Sequence, residues 1–189
     1  AFDDEEFKVY LLGVLALTAI TTFVIYNYAD VSKLPTDIQV IAHPMIYGEL
    51  ESAFRHGLFQ VLAVITTTGF VSADFTIWSP FLTVMFFVMM FSGASAGSTA
   101  GGVKIVRHII MIKNGFLEFK RTIHPNAIIP VRYNDKPVTR GIVFNIMAFF
   151  ILYLVVFVFG SLVFSAMGID FITSLGATAS SLGNVGPAF

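Results

Sequence analysis

Hydrophobic and polar positions along this chain fall into long blocks rather than into the short periods typical of a soluble domain. Two blocks, Val9–Ala29 and Gly141–Met167, are apolar over more than 20 residues each. At about 1.5 Å per residue, a helix of that length crosses a hydrocarbon core of about 30 Å. The pattern therefore predicts two full membrane-spanning helices.

A second kind of apolar block is too short to span a membrane. Residues 52–65 and 170–180 have helical patterns, and each is followed by hydroxyl residues and glycine. Helices of this length fit re-entrant segments, which enter the membrane and return to the same side. The polar residues 30–51, which include Pro35 and Pro44, are predicted to form a loop outside the membrane.

A third apolar block, residues 77–113, is interrupted near its middle by SGASAGSTAGG, residues 92–102. Gly93, Gly97 and Gly101 recur at every fourth residue, a spacing that also occurs in continuous helices packed closely against a neighbour. Each glycine weakens a helix by only about 1 kcal/mol, so this alternative stays open. Four glycines with three hydroxyl residues between them favour an unwound segment within a broken span.

The distribution of basic residues predicts the orientation. Eight of the 11 Lys and Arg residues lie between Lys104 and Arg140, so the positive-inside rule places that stretch in the cytoplasm. The first span and the broken span together cross the membrane twice before this basic stretch. The acidic N-terminal residues Asp3–Glu6 are therefore also predicted to lie on the cytoplasmic side. The two copies of the span and short helix then run in the same orientation.

Composition narrows the class of protein. The chain is 56% hydrophobic and only 12% charged, whereas soluble domains carry about a quarter charged residues. A net charge of −1 gives no basic face for nucleic acid, and the absence of cysteine excludes disulfides and thiolate metal sites. No helical histidine pair, nucleophile–base set or phosphate-binding motif occurs. We therefore predict an integral membrane protein that is not an enzyme and binds no cofactor.

The stretch ITTTGF, residues 65–70, follows the first short helix. Backbone that leaves helical geometry at membrane depth has unpaired polar groups. A row of its carbonyls can replace the hydration shell of a cation, and glycine permits the positive φ angles that this requires. The negative end of the preceding helix also favours a cation. Alternatively, Thr66–Thr68 only finish the helix, with Gly69 as its C-cap.

The stretch SSLGNVGP, residues 180–187, repeats this arrangement after the second short helix. Aligning Gly69 with Gly183 sets Thr67 against Ser181. Internal repetition of a span, a short helix and a hydroxyl-and-glycine segment is typical of pores and transporters.

Three motifs, FQVLAVITTTGF, FSGASAGSTAGGVKIVR and SSLGNVGP, together resemble the potassium-translocating subunits of the Trk/Ktr/HKT superfamily, nearest to its TrkH-like branch. Members have four repeats around one potassium pathway. The resemblance covers the whole chain and implies a third repeat over residues 1–121, a basic cytoplasmic loop over 122–140 and most of a fourth repeat over 141–189. The chain, which begins without Met, is thus expected to be part of a longer protein, without the first two repeats and the last span.

The implied fold is an all-α integral membrane protein of repeated units, each a span, a re-entrant pore helix, a filter strand and a second span, with one span interrupted by an intramembrane loop. The third unit comprises span 9–29, pore helix 52–65, filter 66–70 and broken span 77–113. The fourth comprises span 141–167, pore helix 170–180 and filter 181–187. Glycine at both filter positions implies potassium selectivity. The implied K⁺-binding residues are Thr66, Thr67, Thr68, Gly69, Phe70, Ser181, Leu182, Gly183 and Asn184.

The resemblance also implies that the glycine-rich segment is a gate below the filter. Lys104, in the family's GGxK motif, would position this loop or repel cations when it is closed; alternatively, it is an ordinary snorkelling lysine. The implied gate residues are Gly93, Ala94, Ser95, Ala96, Gly97, Ser98, Thr99, Ala100, Gly101, Gly102 and Lys104.

The resemblance implies potassium uptake by a multi-pass homodimer in the lipid bilayer of the inner (plasma) membrane. It also implies a cytosolic nucleotide-binding regulatory subunit of the TrkA/KtrA kind, which would hold the nucleotide itself. Two other functions stay open: a secondary transporter that binds a small solute at broken helices, and a non-conducting structural subunit. Inverted repeats are typical of many secondary transporters, so the common orientation of the two copies here disfavours the first.

Overall fold

The computed structural model describes residues 3–28, 50–124 and 129–187. The predicted outer loop, residues 30–51, therefore lies almost entirely outside the described residues, as does Ala29 at the end of the first predicted span. Part of the predicted cytoplasmic loop, residues 125–128, also lies outside them.

The described residues form six α-helices and one small β-hairpin. The helices are α1 (Glu5–Tyr28), α2 (Leu50–Ile65), α3 (Pro80–Met89), α4 (Ile105–Ile123), α5 (Arg140–Ala166) and α6 (Phe171–Gly183). A 3₁₀ turn, Phe75–Ile77, precedes α3. The antiparallel strands β1 (Arg132–Tyr133) and β2 (Lys136–Pro137) pair Arg132 with Pro137 and Tyr133 with Lys136.

Helices α1 and α5 are the two described helices long and apolar enough to cross a membrane. They coincide with the two spans predicted from sequence, although α1 begins four residues before Val9. The earlier start has a local cause, because the Asp4 carboxylate accepts the Glu6 backbone N–H at 3.0 Å and so caps the first turn. Acidic side chains in that turn also suit the positive end of the helix dipole.

Each span packs against the short helix that follows it through a glycine–threonine contact. A methyl group placed at Gly57 of α2 would lie 3.3 Å from Thr21 Cγ2 of α1, and one placed at Gly160 of α5 would lie 2.8 Å from Thr178 Cγ2 of α6. The missing side chains let the helix axes approach closely. Both span–helix pairs therefore use the same kind of close contact.

The glycine-rich segment interrupts the third apolar block. Helix α3 is started by Ser79, whose hydroxyl accepts the Phe81 N–H, and it ends at Met89. Residues 90–104 contain no α-helix, and α4 begins at Ile105. The Gly93 N–H donates to the Val103 carbonyl at 2.7 Å, which holds the two ends of the break together. The continuous-helix alternative is therefore wrong.

Two features of the basic region differ from the prediction. Helix α4 runs to Ile123, ten residues beyond the predicted end of the broken span and into the predicted loop. The β-hairpin is absent from the sequence-based prediction. Its turn residues Asn134 and Asp135 have φ of 47° and 60°, the left-handed pair that a tight two-residue hairpin requires.

The hairpin holds the N-terminal turn of α1 through a set of polar contacts that we call the N-terminal clasp (Asp4, Glu5, Lys113, Tyr133 and Asn134). Asn134 accepts the Glu5 backbone N–H at 2.9 Å and donates to Asp4 at 3.1 Å. The Tyr133 hydroxyl donates to Asp4 at 3.0 Å, and Lys113 forms an ion pair with Glu5. The acidic N-terminal turn is therefore in contact with the basic region of the chain, which agrees with the prediction that both lie on one side of the membrane.

The clasp shifts the protonation of its own groups. Hydrogen bonds from the Asn134 side chain and the Glu6 backbone hold the pKa of Asp4 below its ordinary value of 3.8. Burial, aided by the hydrogen bond to Asp4, raises the pKa of Tyr133 to about 12. At neutral pH Asp4 is therefore an anionic acceptor and Tyr133 a neutral donor.

We predict that Asp4→Asn lowers the thermal stability of the purified full-length protein at pH 7. Because the folded-state pKa of Asp4 is depressed, its contribution is complete above pH 3.8 and is lost as the pH falls through the lower folded-state value. The difference in melting temperature between wild type and variant should therefore close in acid. Asp135→Asn, on the same hairpin turn, is the control and should leave the melting temperature nearly unchanged. A gap for Asp4→Asn that is constant with pH would contradict this assignment.

Candidate functional site

The first candidate ion-binding segment, residues 66–70, is called the first tip. Helix α2 ends at Ile65, and the backbone then turns through Thr67 and Gly69, with φ of 54° and 71°. The Thr68 and Gly69 N–H groups both donate to the Ala63 carbonyl, at 3.0 and 3.3 Å. A positive φ is uncommon for a β-branched residue such as threonine, so this turn is a strained position.

The second tip, residues 184–187, has the same backbone turn. Asn184 and Gly186 have φ of 55° and 108°. The Asn184 N–H donates to Ser181 and the Val185 N–H to Ser180, at 3.2 and 2.9 Å. In the first tip, Thr67 and Thr68 make the equivalent bonds to Val64 and Ala63. The equivalent positions are therefore Thr67 with Asn184, and Gly69 with Gly186.

This equivalence corrects the alignment made from sequence, which is three residues out of register. Ser181, Leu182 and Gly183 lie within helix α6, so the predicted filter strand 181–187 is wrong at its start and the non-helical backbone begins at Asn184. The physical reason is that a terminal glycine does not by itself end a helix, whereas a left-handed residue does. Asparagine adopts that conformation more readily than most residues, and this signal could have identified Asn184.

The two tips are in direct backbone contact. A methyl group placed at Gly69 would lie 2.3 Å from the Val185 carbonyl oxygen, and one placed at Gly186 would lie 3.7 Å from the Gly69 Cα. A side chain at Gly69 is therefore excluded both by its positive φ and by lack of space. Gly69 and Gly186 lie at this contact, Asn184 lies beside Gly101 of the glycine-rich segment, and the side chain of Phe70 is exposed.

The arrangement presents carbonyl oxygens at the ends of two helices. In the part of the chain that the structure describes, no donor contacts the carbonyl oxygens of Thr66, Thr67 or Thr68. Neither α2 nor α6 has a basic residue in its last turn, so the partial negative charge of each helix end is not neutralised. Backbone carbonyls without donors at the negative ends of two helices are a suitable environment for a cation.

Acidic and histidine side chains do not supply a second cation site in the described ranges. Within residues 3–28, 50–124 and 129–187, no group of three His, Cys, Asp or Glu side chains is placed to hold a metal ion.

The segment 90–104, which we call the loop, contacts both tips. The Gly101 N–H donates to the Thr67 hydroxyl at 3.2 Å. A methyl group placed at Gly101 would lie 2.2 Å from the Gly183 carbonyl oxygen and 2.8 Å from Asn184 Cβ. Gly101 therefore joins the loop to the first tip by a hydrogen bond and to the end of α6 by close backbone contact.

Lys104 holds the loop from within. Its ammonium group donates to the Ser98 carbonyl and hydroxyl, at 2.9 and 3.1 Å, and to the Ala100 carbonyl. Three donors thus meet three acceptors within the loop. These bonds fit the expectation that Lys104 positions the loop, which stays a prediction.

We predict that Gly101→Ala destabilises the full-length protein by about 1–3 kcal/mol, because the added methyl group overlaps the Gly183 carbonyl. Gly97→Ala is the matched control, since a methyl group placed there has no atom within 4 Å. That control should change stability by less than about 0.5 kcal/mol. Denaturation of the two variants in detergent checks this, and equal effects would contradict the described contact.

Comparison with known proteins adds independent information. The model of the TrkH family, described as a cation transport protein, matches residues 6–189. The chain is similar to the Trk system potassium uptake protein TrkH of Halomonas elongata, with 32% identity over 187 residues that cover 99% of this chain and 35% of that protein. It is also similar to TrkH of Vibrio parahaemolyticus, with 36% identity over 141 residues, 75% of this chain and 29% of that protein.

A solved structure agrees in fold. The crystal structure of the potassium transporter TrkH from Vibrio parahaemolyticus superimposes with a TM-score of 0.83 at 29% identity, and the match covers 99% of this chain and 36% of that one. The chain therefore spans about a third of the length of the relatives it matches.

Proposed function

Because the chain belongs to the TrkH family of cation transport proteins, we propose that it forms part of a potassium uptake pathway, in which the two tips contribute backbone carbonyls to a selectivity filter. The single observation that carries this proposal is the paired backbone turn at Thr67–Gly69 and Asn184–Gly186. A selectivity filter is built from several backbone segments that present their carbonyls to one cation. Two matching turns at the ends of two short helices fit that arrangement. The relatives named above are potassium uptake proteins.

Potassium would lose part of its hydration shell to these carbonyls. The backbone carbonyl oxygens of Thr66–Thr68, which accept no hydrogen bond from the described residues, would supply one side of the site. The backbone of Asn184–Gly186 would supply the carbonyls of a second side. In this register Gly186, and not Gly183, is the filter glycine of the second copy. Ser181 and Leu182 are then part of a pore helix.

The loop is the proposed gate of this pathway. It lies against both tips through Gly101, and Lys104 keeps it compact through bonds to Ser98 and Ala100. Small side chains let such a segment leave a pathway without having to be unpacked from a neighbour. Displacement of the loop would break the hydrogen bond from Gly101 to Thr67 and the close contact of Gly101 with Gly183, and would open the passage below the tips.

The complete transporter requires more than this chain. Two tips enclose only part of a cation, so the remaining carbonyls would come from the rest of the same polypeptide, which is longer in the relatives. We place the protein in the inner (plasma) membrane as a multi-pass homodimer. A cytosolic nucleotide-binding subunit of the TrkA/KtrA kind would dock on the basic side, near the hairpin.

The filter register is tested by Gly186→Ser in the full-length protein reconstituted into liposomes. A methyl group at Gly186 has only ordinary contacts, so serine fits but its strained positive φ disturbs the carbonyl row. We expect the potassium-to-sodium flux ratio to fall about tenfold or more, as 1.4 kcal/mol of lost discrimination gives a factor of ten.

Gly168→Ser is the matched control, because Gly168 also has a positive φ, 88°, and open space around it, but lies between α5 and α6, away from the tips. Its flux ratio should equal that of wild type. An unchanged ratio in the Gly186 variant would refute the register. Wild-type protein that transports a small solute, or nothing, instead of potassium would refute the proposed function.

A further inference from the structure

Glu6 is a buried acidic residue whose role the proposed pathway does not use. It lies in the first turn of α1 and is only 7% exposed. Its carboxylate accepts the backbone N–H of Ala96 at 2.6 Å, across 90 residues of sequence. Ala96 lies in the middle of the loop, so a charged group in the first span is bonded to the segment that the proposed function makes a gate.

Apart from bonds to the helical residues that directly flank it, the loop has two described hydrogen bonds to the rest of the chain. One joins Gly101 to Thr67 of the first tip, and the other joins Ala96 to Glu6. The bonds of Lys104 are internal to the loop, so they keep its shape without fixing its place. The bond from Ala96 to Glu6 is 2.6 Å long and that from Gly101 to Thr67 is 3.2 Å long, so the bond to Glu6 is the shorter of the two.

Glu6 is itself held in place by the N-terminal clasp. Its backbone N–H donates to Asp4, and Asp4 and Glu5 are both bonded to Asn134 at the turn of the hairpin. The first turn of α1 therefore has the basic-side hairpin on one side and the loop on the other. Movement of the hairpin would shift the carboxylate that holds Ala96.

We propose that Glu6 is the positioning residue that holds the loop in the place seen here, and that the N-terminal clasp joins this hold to the hairpin Arg132–Pro137. This inference rests on the proposed function for its consequence, the closing of a potassium pathway. The hold itself is a property of the fold and is measurable without any ion.

The test uses the full-length protein with a single cysteine introduced at the buried loop position Ala94→Cys; the chain described here has no native cysteine. The rate at which a water-soluble maleimide modifies this thiol reports displacement of the loop. Glu6→Gln keeps the shape and a weaker acceptor, while Glu6→Met keeps similar bulk without an acceptor. We expect rates in the order wild type, Gln, Met, with about a three- to tenfold rise for Met.

Rescue and control variants separate positioning from packing. Glu6→Asp retains the charge and should return the rate part of the way to wild type. Asn134→Gly, which tolerates the left-handed turn but removes the amide, should raise the rate less than Glu6→Met does. Glu51→Met is the matched control, because Glu51 is an exposed acid that pairs with Arg55 on α2. This variant should leave the labelling rate unchanged.

If Glu6 only fills space, Glu6→Met will label at the wild-type rate, and that result overturns the proposal. Should the Met variant fold poorly, the Gln variant decides in the same way. Potassium flux measured on the same proteins separates the two claims. Potassium flux that rises with the labelling rate supports both the role of Glu6 and the proposed function. If the variants label in the expected order but the wild type conducts no potassium, only the proposed function is refuted.

Discussion

The structure depends on the contact between three pieces of non-helical backbone that lie among apolar helices. Peptide groups outside a helix need partners at membrane depth, because lipid offers none. Part of this need is met locally, because Gly93 bonds to Val103 across the loop and Gly101 bonds to Thr67 of the first tip. The carbonyl oxygens of Thr66–Thr68 have no donor among the described residues. Gly69 and Gly101 are required because a side chain at either would overlap a carbonyl oxygen. The same contact brings the carbonyl-bearing tips and the loop to one place.

The strain at Thr67 follows from this contact. A left-handed conformation costs an L-residue roughly 1–2 kcal/mol, and β-branching makes threonine a poor choice for it. The hydroxyl of Thr67, however, accepts the Gly101 N–H, which a glycine at this position could not do. The strain and the loop contact therefore occur in one residue, so loop position and tip geometry are physically coupled.

Much of the architecture follows from the sequence because it follows from hydrophobic block length. The two spans, the two short helices and the unwound glycine-rich segment are all visible as runs of apolar or small residues. The end of α6 was misplaced because glycine identity guided the alignment, while the backbone turn is set by Asn184. The hairpin at Asn134–Asp135 carries a turn signal that the basic charge of the region obscured.

The long-range polar contacts could not be predicted in the same way. Glu6 and Ala96 are 90 residues apart, and an acidic residue before a span gives no local sign of its partner. Lys104 likewise has the sequence appearance of an interface lysine, and only the folded loop brings Ser98 and Ala100 to its ammonium group. The contacts of Glu6 and Lys104 could not be predicted from sequence, because both depend on partners that only the folded chain brings near.

The central claim is that carbonyl oxygens of the two tips bind the transported cation. The most direct measurement is a high-resolution structure of the full-length protein in rubidium, with anomalous scattering used to locate the ion. We expect an anomalous peak within coordination distance of the Thr66–Thr68 carbonyls and of the backbone at Asn184–Gly186. Tip carbonyls that are instead bonded to protein donors, with no rubidium beside them, would contradict it.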